Sequence, residues 1–186
     1  MNYKEKVYDI VKWYFKHVEK IGEEEKEIDR NLQNDIIGAA AAESARRELD
    51  MKRKTGYEAT VTEIEKTRSA QSDAVDKWNA LDASKLSADA ELLKLDIPMT
   101  QVQFQQLCNK HADNSLMLAL LCDYADKHKS EALYADRPAD AETRKRDFSD
   151  YCDRAINVCR NPSSISAALF LDNHSVPKSI TYSYEC

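Results

Sequence analysis

The sequence predicts an all-α protein: a long N-terminal coiled-coil-like helix or helical hairpin, followed by a small helical domain. Three observations carry this. The 186 residues include only 3 Gly and 4 Pro, and the first proline is Pro98. The first half therefore has no strong helix breaker beyond Gly22, Gly38 and Gly56. Apolar residues recur there at steps of three and four, the period of one helix face. Charged residues make up 32% of the chain, a share usual for long exposed helices.

The first segment is expected over residues 1–82. Val7, Ile10, Val11, Tyr14, Val18 and Ile21, continued by Ile28, Leu32 and Ile36, form one apolar stripe. The acidic run Glu23–Glu27 occupies the other faces, and Ala39–Ala42 offers helix propensity or close helix approach. From Glu43 to Gly56 the stripe thins to Leu49 and Met51. Thr55-Gly56 can end a helix through a left-handed glycine cap, which would reverse the chain into a hairpin. Without that reversal, one helix of roughly 80 residues would reach about 120 Å. Tyr57, Val61, Ile64, Arg68, Gln71, Val75 and Trp78 then follow heptad steps that favour a left-handed coiled coil, with Arg68 and Gln71 interrupting the seam.

The second segment, residues 83–175, is expected to be a small helical domain. Thr100 and Gln103 fit a capping box just after Pro98, opening a helix that carries Val102, Phe104, Leu107 and Cys108. Asn114 is placed to cap a second helix, from Ser115 to about Lys127. Its run Leu116–Leu121 is apolar nearly all round and marks a buried central helix. A third helix is expected from about Ala139 to Cys159, with Phe148, Tyr151, Cys152, Ala155, Ile156 and Cys159 inward. Pro162 and Ser163-Ser164 open a short fourth helix through Leu171. Residues 176–186 form a C-terminal tail, in which Ser179–Tyr184 alternates with the period of a strand.

Charge narrows the function classes. The net charge is -6. Residues 1–82 hold 15 basic and 18 acidic side chains, and residues 83–186 hold 12 and 15, so neither segment is a basic domain. Nucleic acid is therefore not an expected partner. The densest basic cluster, Arg46-Arg47 with Lys52-Arg53-Lys54, reads as a solvated helix face. The longest apolar run cannot span a bilayer, so no membrane is expected. The charged start Met1–Lys6 does not fit a signal peptide, which places the chain in the cytoplasm or, if it derives from a phage, in the virion. The 5 scattered Cys fit free thiols.

The chain offers little chemistry. Three isolated Gly cannot form a phosphate loop. No His follows a Glu by three residues, which removes the usual di-iron helical-bundle arrangement. Cys108, His111, Cys122 and His128 are the most suggestive set, since Cys108 and His111 lie one helical turn apart and could share zinc. Against this, Cys122 lies in the most apolar helix, and the six-residue step to His128 points the two to different faces. A Cys–His nucleophile pair lacks an orienting third group. No catalytic, cofactor or metal residue is assigned. The helix pair at Thr100–Lys127 lacks base-reading side chains on its apolar second helix. Tyr3, Tyr8, Trp13, Tyr14 and Phe15 cluster at the start, where aromatic side chains can anchor a partner, although helix packing accounts for most of them.

Leu92-Leu93-Lys94-Leu95, Met99-Thr100 opening a helix, Asp113–Leu118 and Tyr124-Ala125 cover about a fifth of the chain. With the charged amphipathic helix ahead of them, they resemble helical structural and head-assembly proteins of phages and prophages of Gram-positive bacteria. The shared positions are caps and core residues. The resemblance implies a structural or morphogenesis role and transfers no functional residue.

The expectation is a non-enzymatic assembly protein that acts on itself and on protein partners as a homo-oligomer. Self-association is assigned to Val7, Ile10, Tyr14, Val18 and Ile21, and to Val61, Ile64, Val75 and Trp78. The alternative is a regulatory adaptor or nucleic-acid-associated factor, which would show itself by salt-dependent retention on DNA.

Overall fold

A computed structural model describes residues 2–80, 82–128, 133 and 138–172. Among them are seven α-helices and no strand. They are α1 (Tyr3–Gln33), α2 (Ala39–Asn79), α3 (Ala90–Lys94), α4 (Gln101–Lys110), α5 (Ser115–His128), α6 (Ala141–Arg160) and α7 (Ile165–Asp172), with a 3-10 turn at Ala83–Lys85. The tail 176–186 and its alternating stretch lie outside the described residues. No described helix is long and apolar enough to cross a membrane.

The chain divides into two compact units, and the division is not the sequence-order break at residue 82. One unit comprises residues 2–70 and 148–172 of the described chain, and the other residues 71–147. The late helices α6 and α7 help build the first unit because their aromatics pack on α1. Tyr3 meets Phe148 edge-on at 6.3 Å, and the Tyr8 hydroxyl donates to the Leu171 carbonyl at 3.3 Å.

In the first unit, α1 and α2 pack against each other as an antiparallel hairpin. The reversal comes earlier than Gly56. Asn34 ends α1, and Asp35 adopts the left-handed conformation at φ 55°. The Ile36 N–H donates to the Asn31 carbonyl (2.9 Å) and the Asp35 N–H to the Leu32 carbonyl (3.2 Å). This is a Schellman closure with Asp, rather than Gly, in the strained position. Gly56 is instead interior to the 41-residue α2.

Cross-hairpin pairs fix the antiparallel register: Arg46 with Asp29 (2.6 Å), Lys52 with Glu24 (3.0 Å) and Arg53 with Glu25. The acidic run of α1 thus faces the basic cluster of α2. Each exposed pair contributes only about 0–1 kcal/mol, so register and specificity are their main effect. Stability comes from the seam between them, where Tyr3, Val7, Val11, Tyr14 and Ile21 of α1 are buried. The α2 side buries Ala42, Leu49, Gly56, Thr60, Ile64 and Thr67. This differs from the heptad read in the sequence: Tyr57, Val61 and Arg68 are only half-buried. Small side chains carry the contact because they let α1 approach closely. The hydroxyls of Thr60 and Thr67 are satisfied at 2.8 Å by the carbonyls of Gly56 and Glu63, one turn back.

In the second unit, the core gathers Phe104, Leu118, Leu121, Tyr124, Ala125 and Leu133. The expected caps are present: Thr100 and Gln103 form the capping box, and the Asn114 side chain accepts from the Met117 N–H at 3.2 Å. Tyr124 holds the segment before α4, donating to the Ile97 carbonyl (2.8 Å) and accepting from the Met99 N–H (3.1 Å). Helix α6 starts at Ala141. Along its inward face, Val158 is buried where Ile156 had been expected to be, and Ile156 is half-buried.

Candidate functional site

The nine residues expected to self-associate separate into two groups. Val7, Tyr14, Ile21, Ile64 and Val75 are buried within the chain itself. As folded, they have no surface to offer a second molecule. Ile10, Val18, Val61 and Trp78 remain partly accessible. Trp78 is covered on one face by the Arg144 guanidinium, 4.0 Å from its ring centroid. Arg144 itself is only 1% exposed and donates from Nε to the Ala139 carbonyl at 2.9 Å.

Ile10 stands beside the most exposed aromatic of the first unit. Trp13 is 54% exposed and stacks flat on the His17 imidazole, with centroids 5.3 Å apart and planes 6° off parallel. Together with Ala59 and Thr60 of α2, Ile10 and Trp13 line a groove of about 650 Å³ along the outside of the hairpin. Its rim carries Glu5, Asp9 and Glu63 against Lys6, so both signs of charge border an apolar floor. Of the N-terminal aromatic cluster, Tyr3 and Tyr14 are buried, Tyr8 and Phe15 are half-buried, and only Trp13 faces out.

A second groove of about 720 Å³ lies on another side of α1. It is walled by Phe15, Val18 and Leu171 and edged by Lys12, Lys16 and Arg160. Sequence reading missed it because its cations come from helices more than a hundred residues apart. No spacing rule links such positions.

The residues weighed for zinc have other engagements. His111 Nε2 lies 2.8 Å from an Asp89 carboxylate oxygen that also accepts from Lys110 at 2.6 Å. His128 Nε2 lies 2.9 Å from Asp96, and its ring rests on Tyr124 at 4.2 Å. The Cys122 thiol donates to the Pro138 carbonyl at 3.5 Å. Among the described residues, no three His, Cys, Asp or Glu side chains converge in a way that could hold a metal ion.

Lys110 and His111 hold the Asp89 carboxyl below the usual carboxylate range. Burial pushes the thiols of Cys152 and Cys159 up to about 12, the opposite of what a nucleophile needs. No protein-family model, no curated protein and no solved structure matches this chain.

Proposed function

We propose that this chain is a non-enzymatic assembly protein that pairs with a second copy of itself through the outer face of the α1–α2 hairpin. The observation that carries the reading is Trp13, a large aromatic left in solvent beside Ile10 on a hairpin that buries Val7, Val11, Tyr14 and Ile21. Exposed aromatics over a groove are the usual anchors of protein interfaces. The groove's rim carries both signs of charge, Lys6 against Glu5 and Asp9, so a two-fold pairing would set unlike charges against each other around the Trp13 side chains.

The resemblance to phage structural proteins agrees with an assembly role. It also suggests a morphogenetic setting, with the protein in the cytoplasm or the virion. The self-association residues proposed from the sequence are thereby reassigned: Ile10 stays and Trp13 joins it, while Val7, Tyr14, Ile21 and Ile64 serve the hairpin core and Val75 is buried in the other unit. Light scattering on the wild type and on Trp13→Glu tests the reading. Dimer-sized wild type with monomeric variant is the expected result.

A further inference from the structure

We infer that the groove between α1, α6 and α7 binds an acidic, apolar-rich peptide segment of a partner protein. The site is separate from the Trp13 groove. Trp13 and Phe15 are two residues apart on α1, hence about 200° apart around its axis at 3.6 residues per turn.

Its chemistry rests on Lys12, Lys16 and Arg160. All three are exposed, and none makes an ion pair or hydrogen bond among the described residues. These three converge on one groove. The net charge of the chain is -6, and Arg46, Lys52 and Arg53 of the hairpin are each held by a carboxylate of α1. Arg53 reaches the same groove but is already engaged by Glu25, so it adds little free charge.

Lys12 and Lys16 stand one turn apart on α1, and Arg160 ends α6 opposite them. Among the described residues, Glu19 is the one acidic side chain on the lining. Between the cations the walls are apolar: Phe15, Val18 and Leu171. The last of these is held in place by the Tyr8 hydroxyl on its carbonyl and by the stack of Phe170 on Tyr151 at 5.4 Å.

A site with unpaired cations around apolar walls recognises a ligand that carries carboxylates and apolar side chains together. Charge complementarity selects the acidic partner, and the walls give its apolar side chains somewhere to go. A nucleic acid fits less well. Three cations neutralise few phosphates, the walls offer no extended basic track, and the net negative charge repels a long polyanion.

The test uses the full chain and a fluorescein-labelled peptide built from Glu and Leu, followed by fluorescence anisotropy. Binding should weaken as salt rises and should weaken at least about tenfold when Gln replaces Glu in the peptide. Lys12→Glu with Lys16→Glu, or Arg160→Glu alone, should weaken it by a similar factor with helicity unchanged by circular dichroism. Glu19→Gln should tighten it several-fold, and Arg160→Lys should retain most of it. Trp13→Glu should leave it unchanged, so loss of self-association and loss of this site are separable. Absence of binding, or binding indifferent to the charge reversals, overturns the proposal. Oligothymidylate or phosphatidylserine vesicles bound as tightly as the peptide, and released by the same substitutions, overturn the peptide assignment.

Discussion

Gly56 and His17 occupy one another's space: a Cβ built on Gly56 would lie 2.8 Å from two atoms of the His17 imidazole. That ring is held from two sides. It stacks on Trp13, and its Nε2 lies 3.5 Å from the Lys52 carbonyl. Gly56 therefore serves as the point where α2 passes closest to an α1 side chain. It ends no helix.

This predicts opposite outcomes for one substitution at two glycines. Gly22 is interior to α1, and nothing lies within 4 Å of where its Cβ would be, so Gly22→Ala should gain the helix-propensity difference of about 1 kcal/mol. Gly56→Ala should gain much less or lose, because His17 must leave its stack. In a His17→Ala background the Gly56→Ala gain should return to about 1 kcal/mol. Urea unfolding of the four variants measures this, and equal effects in both backgrounds would remove the proposed contact.

How much could be read in advance followed the physics of each signal. Local signals were legible: the Thr100–Gln103 capping box and the Asn114 cap are chemistry within three residues, and both are in place. The stripe of α1 was legible because Val7, Val11, Tyr14 and Ile21 are apolar. The α2 seam was not, because it buries Gly56, Thr60 and Thr67, which an apolar pattern passes over. The reversal was misplaced because Asp35 adopts the left-handed conformation expected of a glycine. The outward turn of Trp13 was hidden for a similar reason. A cluster of five aromatics does not say which of them the fold leaves in water. The grooves depend on helices distant in sequence.

The thiols should report the packing of α6. Cys152 and Cys159 are buried and carry raised pKa values of about 12, so only about one thiol in ten thousand is ionised at pH 8. Iodoacetamide followed by peptide mapping should leave both unmodified in the native protein and modify both in guanidinium. Rapid native labelling of either would contradict the described core.

Acid should weaken the unit that contains Asp89. Its carboxyl is held low first by the Lys110 hydrogen bond and then by that of His111. A depressed folded-state pKa means that its stabilising effect is present above the ordinary carboxylate range and is lost as pH falls through the depressed value. Asp89→Asn should therefore lower the Tm at pH 7, and the difference from wild type should shrink below about pH 4. A difference that persists unchanged at pH 2 would show that the charge on Asp89 is not its source.

The central claim is that the chain associates through Ile10 and Trp13 and uses Ile64 only to hold itself together. Absolute mass by light scattering on the wild type, Trp13→Glu and Ile64→Ala tests it most directly. The account predicts twice 21.3 kDa for the wild type and for Ile64→Ala. It also predicts that Ile64→Ala loses about 3 kcal/mol of stability to its buried cavity. Trp13→Glu should be a folded monomer. A monomeric wild type, or a Trp13→Glu variant that keeps the wild-type mass, would contradict it.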